Sequence, residues 1–332
     1  MNSIAMIRNS MPGKELACDH QGLLLERGFS SWDVGNAEKR GKEIAGHIRQ
    51  VSNLPVSEAY IQAFQRWRQL HQDNEFSQLW FGQLDNSRLM LGLGEASSIE
   101  AAITLHHTYG APFIPGSAIK GMMRAYARDQ NVTDEVRAFM FGKDASVEGD
   151  GGEAGYLIFH DAWWVPQSSA TPLTPEIVTV HHAEYYKGEG AEATDFDSPN
   201  PNNQIAARGS FLFIIEGKGS LVAWAMALLT QALQTQGIGA KSCAGYGYFV
   251  EDVELNDELA DVEEKLRRKI TRLKAKELVE MFSKKRNVTK KQYAHCWELL
   301  VSLVSEIHSD KIRLWEHSSK SNERKAFDVL SG

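Results

Sequence analysis

Cysteine is scarce in this chain. Its 332 residues hold three, Cys18, Cys243 and Cys296, too far apart for a zinc-binding pair or a disulfide framework. A reduced, cytoplasmic protein is the expectation. Long apolar runs are missing too. No stretch approaches the ~20 residues of a membrane span, and the opening MNSIAMIRNSMPGKE lacks the apolar core of a signal peptide, so no membrane partner is expected. A hydrophobic content of 42% and a charged content of 24% are those of an ordinary globular protein. The length suffices for one large or two smaller domains with a real core.

Positive charge is in deficit overall, with a formal net charge of −7. The deficit is local. Residues 144–199 hold eleven acidic side chains against one basic, Lys187, which leaves 35 basic against 32 acidic elsewhere. Only charge within a Debye length of about 8–10 Å decides what a patch binds, so a basic surface beside an acidic insertion is compatible with a nucleic-acid partner.

A Walker phosphate loop is also absent. GIGAKSCAGYGYF, residues 237–249, pairs glycines with Lys241-Ser242, but Ala240 precedes the lysine and Thr235 stands where the first glycine belongs. The order of elements is reversed as well: an apolar helix before the loop, a strand after it. What remains is a helix-to-strand turn whose glycines let backbone amides approach a phosphate chain, or a plain tight turn.

Along the chain, residues 1–85 read as a helical N-terminal region, with helix patterns at 37–51 and 56–70 parted by Pro55. Residues 86–256 read as a core. Its strand candidates are 87–94, 155–164, 210–216 and 246–250, with helices after Pro115 and over 219–235. The order βαββαβ is that of an α+β, ferredoxin-like (RRM-like) fold. No RRM aromatic signature stands on the strands, so the sheet face need not be the binding surface. The connection at about 165–208, rich in Pro, Asp and Asn, is long enough to be functional in its own right. Residues 257–332 read as a helical extension. One apolar stripe runs through Leu259, Val262, Leu266, Ile270 and Leu273, and another from Tyr293 to Ile307, so two packed helices are expected. Twelve basic residues against two acidic between Lys265 and Lys291 make either a solvated face or a nucleic-acid contact.

The segment 106–128, HHTYGAPFIPGSAIKGMMRAYAR, carries the most information. On a helix capped by Ser117, Ile119, Met122, Met123 and Tyr126 share the core face, while Lys120, Arg124 and Arg128 form a basic ridge. Lys120 falls in the first turn, where free amides and the helix dipole favour an anion, and Gly116 and Gly121 permit close approach. An ammonium and two guanidinium forks suit a sugar-phosphate backbone; an ordinary amphipathic helix is the plain alternative.

Taken together, PGSAIKG ahead of a helix and the late GIGAKSCAGYGYF resemble the RAMP superfamily of CRISPR-associated RNA-binding proteins. LHHTYGAPFIPGSAIKGMMRAYA, GYLIFHDAWW, GLLLERGF and VTVHHAEYYKGEG are similar to its family of sixth Cmr subunits of type III-B effector complexes. The resemblance covers about 20–255. It implies a backbone subunit of a ribonucleoprotein in antiviral defence, holding guide RNA (crRNA) near its 3′ end beside complementary target RNA and other Cmr backbone and small subunits. Carried over by motif, Gly116, Ser117, Lys120 and Gly121 line the guide from one side. Gly239, Lys241, Ser242, Gly245 and Tyr246 do so from the other. The connection at 165–208 becomes a thumb whose His181, His182, Tyr185 and Tyr186 stack on bases.

The resemblance assigns target cleavage to a different subunit, whose loop carries an aspartate, and no loop aspartate stands between Leu93 and Pro115. A non-catalytic protein without cofactor is therefore expected. The alternative is a metal-independent endoribonuclease using His106 or His107; Glu95, Glu100, His160 and Asp161 are the other acid or base candidates. Adjacent histidines such as His106-His107 and His181-His182 point to opposite faces of a strand and have no ligand spacing, so no metal is expected.

Overall fold

The computed structural model describes residues 19–29, 37–95, 97, 99–143, 151–180, 185, 188, 192, 194, 200–259, 262–293 and 297–330. It divides into two compact units, Met1–Asp252 and Val253–Gly332.

The first unit opens with helices α1 (Gln21–Arg27), α2 (Ala37–Ser52) and α3 (Glu58–Gln72). Ser57 caps α3 by accepting from the Tyr60 amide. Strand β1 (Ser77–Leu84) is followed by β2 (Phe113–Ile114), α4 (Gly116–Asp129) and α5 (Asp134–Phe141). Then come the short β3 (Gly142–Lys143) and β4 (Glu153–Ala154), β5 (Ile158–Phe159) and β6 (Ala162–Trp164). Strands β7 (Leu173–Val180), β8 (Asn200–Ala207) and β9 (Ser210–Glu216), helix α6 (Ser220–Thr235) and strand β10 (Phe249–Glu251) complete it.

The main sheet is antiparallel in the order β10-β1-β9-β6-β2, with β5 also on β9. The run Phe211-Leu-Phe-Ile-Ile215 explains why β9 is central. All five side chains are buried, which requires cover on both faces. Helix α6 packs on β1, β9 and β10, α3 packs on β1, and α4 packs on α6. Buried Ile119, Met123 and Tyr126 make the core face of α4 as their spacing requires; Met122 is half-buried against the same core.

The first strand differs from the expectation. It is 77–84, inside the segment read as helical, and the stretch expected as a strand, 87–94, makes only single bridges, Leu89↔Ala207 and Met90↔Ala240. Left-handed Gly92 (φ 68°) and Gly94 (φ 101°) break its ladder, while Leu79-Trp-Phe81 supplies the bulky side chains a sheet centre needs. The long connection contains a hairpin: β7 and β8 pair over eight positions, from Leu173↔Ala207 to Val180↔Asn200. Leu173, Ile205, Ala206 and Ala207 are buried, and Asn203 Nδ2 donates to the Gly41 carbonyl at 3.3 Å, tying the hairpin to α2.

The second unit is all helical: α7 (Val253–Leu259), α8 (Val262–Arg272), α9 (Ala275–Val279), a π-helical turn (Glu280–Lys284), α10 (Arg286–Gln292), α11 (Trp297–Ile307), α12 (Ser309–Arg313) and α13 (Ser321–Leu330). The expected pair is present as α8 packed on α11. More helices join it because Phe282, Ile312, Trp315, Ala326 and Leu330 complete a separate core around Leu266, Ile270 and Leu300. The basic run is partly neutralised within the unit, by Arg267 with Glu306 at 2.9 Å and Lys285 with Glu280 at 2.9 Å.

Candidate nucleic-acid interface

Helix α4 leaves the edge strand β2, and the glycine loop enters the opposite edge strand β10. Four strand spacings of about 4.8 Å set these edges about 19 Å apart. The two motifs therefore adjoin opposite edges of the sheet. Each has its own surroundings.

At α4 the helix starts at Gly116, one residue before the expected cap. Ser117 is exposed within the first turn, and Pro115 occupies the cap position without a side-chain bond. The capping function comes from Asp161, whose Oδ1 accepts from the Gly116 amide at 2.7 Å. A carboxylate thus already sits at the positive end of the helix, where the sequence placed a phosphate. Gly116 is needed for packing: a Cβ there would lie 2.1 Å from the Phe159 carbonyl oxygen. Gly121 is exposed, and a Cβ there would meet nothing within 4 Å among the described residues. Lys120 is half-buried beside it and has no carboxylate partner among the described residues. Arg124 is half-buried, and exposed Arg128 reaches Asp129 at 3.3 Å.

The glycine loop is folded on the segment 88–90. The Ala240 amide donates to the Met90 carbonyl at 2.8 Å and the Gly247 amide to the Arg88 carbonyl at 2.8 Å. Gly239 (φ 92°) faces the Met90 oxygen at 2.5 Å from a notional Cβ, and Gly247 (φ 77°) the Ile238 oxygen at 1.9 Å; both serve the chain's own close packing. Gly245 (φ 91°) faces open space. Lys241 itself is left-handed, φ 59° and ψ 32°, and starts a 3-10 turn, Ser242–Ala244. That conformation leaves three successive amides, of Lys241, Ser242 and Cys243, without an acceptor among the described residues, next to an exposed ammonium. Consecutive free amides beside a left-handed residue form a concave anion site.

The neighbour of this loop is the β7–β8 hairpin. Glu176 of β7 pairs with Arg88, whose Nη1 also reaches the Pro175 carbonyl at 3.4 Å. Tyr246 lies near the same carboxylate; burial first, and Glu176 next, raise its phenol above the ordinary value. Arg88 and Glu176, which make the link, escaped the sequence reading because a salt bridge across 88 residues has no local signature. Of the residues expected to stack on bases, Tyr185 is exposed, while His181, His182 and Tyr186 lie outside the described residues.

The two histidines of the alternative reading differ in setting. His106 packs tilted against Tyr109 at 4.8 Å and edge-on against Phe113 and Trp163 at 5.9 and 5.1 Å, and its Nδ1 accepts from the Thr108 amide at 3.2 Å. Burial lowers its pKa, opposed by nearby Asp161. The backbone carbonyl of exposed His107 contacts His20 Nε2 at 3.1 Å.

Residues 77–250, more than half of the chain, match the model of the RAMP superfamily. The chain belongs to that superfamily. Among its relatives, the CRISPR system Cmr subunit Cmr6 of Pyrococcus furiosus is 28% identical over 50% of this chain and 66% of its own length. The Cmr6 subunit of Saccharolobus solfataricus is 27% identical over 45% and 48%. The chain thus spans less than two thirds of the curated relatives it matches. A chain of the type III-B Cmr-β complex bound to cognate target RNA, solved by cryo-EM, superposes with a TM-score of 0.52 at 17% identity, covering 74% of this chain and 87% of that one. That likeness is one of fold. The superfamily match ends at the last strand of the first unit, so the second unit lies outside it.

Proposed function

We propose that the chain is a non-catalytic, guide-RNA-binding backbone subunit of a type III-B Cmr effector complex, serving antiviral defence in the cytoplasm. Likeness to two Cmr6 subunits supports the place in the complex. The observation that carries RNA binding is the three-amide turn at Lys241–Cys243 with its exposed lysine, a site for phosphate oxygens that reads no base. The strand order β10-β1-β9-β6, with α4 and α6 as the connecting helices, supports a ferredoxin-like βαββαβ core. On this core the guide runs past the glycine loop and the hairpin. Lys120, Gly121, Arg124 and Arg128 serve a separate stretch of strand, complementary target RNA lies toward Tyr185, and the neighbours are other Cmr backbone and small subunits.

Reconstituting the complex with Lys241→Ala tests this reading. Guide RNA copurifying with the variant should fall while subunit assembly persists; unchanged guide content overturns it. Labelled guide precursor and target RNA, incubated in EDTA with wild type and the His106→Ala/His107→Ala variant, should stay intact in both. Cleavage lost only in the variant would establish the nuclease instead.

A further inference from the structure

Three side chains distant in sequence meet beside the first unit's sheet. His71 lies at the end of α3, His160 in the turn between β5 and β6, and Glu216 at the end of β9. One ligand-capable atom from each lies within 4.8 Å of the other two. His160 Nε2 is 3.2 Å from Glu216 Oε2, a separation close to the edge of a tetrahedral zinc site built from bonds of about 2.0–2.2 Å. The two imidazole rings lie 4.4 Å apart, and Trp67 meets both edge-on.

An internal ion pair between His160 and Glu216 accounts for only part of this. His71 is 4% exposed, and its Nε2 has no hydrogen-bond partner among the described residues. Buried polar atoms are satisfied as a rule, so an orphaned ring nitrogen next to a second imidazole and a carboxylate calls for a further group. The other nitrogen, Nδ1, lies 3.0 Å from Ser77 Oγ, which Asn74 Nδ2 also contacts at 3.1 Å. With Nδ1–H donating to Ser77, Nε2 carries a lone pair. This is how an outer hydrogen bond fixes the tautomer of a metal-binding histidine.

We propose that His71, His160 and Glu216 bind one divalent transition-metal ion of the zinc class, with solvent completing the coordination. Two imidazoles and one carboxylate suit zinc and its neighbours; calcium and magnesium favour oxygen-only sets. Side-chain exposures of 19% for His160 and 28% for Glu216 leave the site open to entry from solvent. The ion would fasten α3 to the β5–β6 turn and to β9. The adjacent-histidine pairs in the sequence gave no hint of it, since its donors come from residues 71, 160 and 216.

The test uses the full chain without a polyhistidine tag, stripped with EDTA, dialysed and titrated with Co²⁺. One equivalent should bind with the visible absorption of a histidine-ligated cobalt ion, Zn²⁺ should abolish that absorption, and Zn²⁺ should raise the Tm reversibly to EDTA. His71→Gln and Glu216→Gln should lose the cobalt signal. Ser77→Ala, a change at a positioning residue, should weaken Co²⁺ binding about 10-fold while keeping the spectrum. Should His71→Gln fail to fold, the wild-type titration and Glu216→Gln decide. Absence of a cobalt spectrum together with an unchanged Tm in the wild type overturns the proposal, as does a well-folded Glu216→Gln that binds as tightly as wild type.

Discussion

The turns at Gly116–Gly121 and Gly237–Gly247 are built from the same residue types, glycines around a lysine and a serine, and they use them differently. In the first, the opening amide is bonded to the Asp161 carboxylate and the leading glycine makes room for the Phe159 backbone. In the second, outer glycines pack the loop on residues 88–90 and Ile238, while the amides of Lys241, Ser242 and Cys243 find no acceptor among the described residues. Composition therefore marks where backbone comes close to something. Whether that something is the chain itself or a ligand depends on distant residues such as Asp161.

Alanine at selected glycines breaks the comparison most strongly. Gly247→Ala should cost about 2–4 kcal/mol, since it adds a left-handed side chain and a clash with the Ile238 oxygen at 1.9 Å. Gly116→Ala, facing the Phe159 oxygen at 2.1 Å, should cost about 1–3 kcal/mol. Urea unfolding of the full chain checks both. Asp161→Ala should remove about 0.5–2 kcal/mol of helix stability by uncapping α4, readable in the same titration. Gly121→Ala has the opposite sign: an exposed helical glycine with open space around it should gain up to about 1 kcal/mol as alanine. A destabilised Gly121→Ala would show that the surface there is not open.

The smallest expected effect concerns pH. Burial holds His47 and His106 below the ordinary imidazole value of 6.5. In the unfolded chain both take up protons near 6.5, so the unfolded state binds more protons as pH falls. The first unit should therefore lose stability below about pH 6.5, visible as a lower urea midpoint at pH 5.5 than at pH 7.5.

Much of the fold was legible because it obeys local rules. The period of Ile119, Met123 and Tyr126 gives the buried face of α4, and the unbroken apolar run of β9 gives the sheet centre. The strand at 87–94 misled because Met90 and Leu91 look strand-like, while the left-handed glycines behind them do not allow a ladder. At the candidate site the lysines and glycines were visible, but not that their motifs adjoin opposite edges of one sheet. Long-range partners carried the rest: Asp161 at the Gly116 amide, Arg88 joining the glycine loop through its carbonyl and the hairpin through Glu176, and the His71–His160–Glu216 cluster. The helical unit was under-read because Ile312, Trp315 and Leu330 complete its core from beyond the two obvious stripes.

The most direct test of the account is the salt dependence of guide-RNA affinity for wild type, Lys120→Ala and Lys241→Ala, each assembled in the complex. Loss of one phosphate contact lowers the slope of log K against log salt by about 0.7 for a single strand. Lys241→Ala should show that drop and the larger loss of affinity, because its ammonium stands beside three free amides. Equal effects from the two lysines, or an unchanged slope in Lys241→Ala, would contradict it.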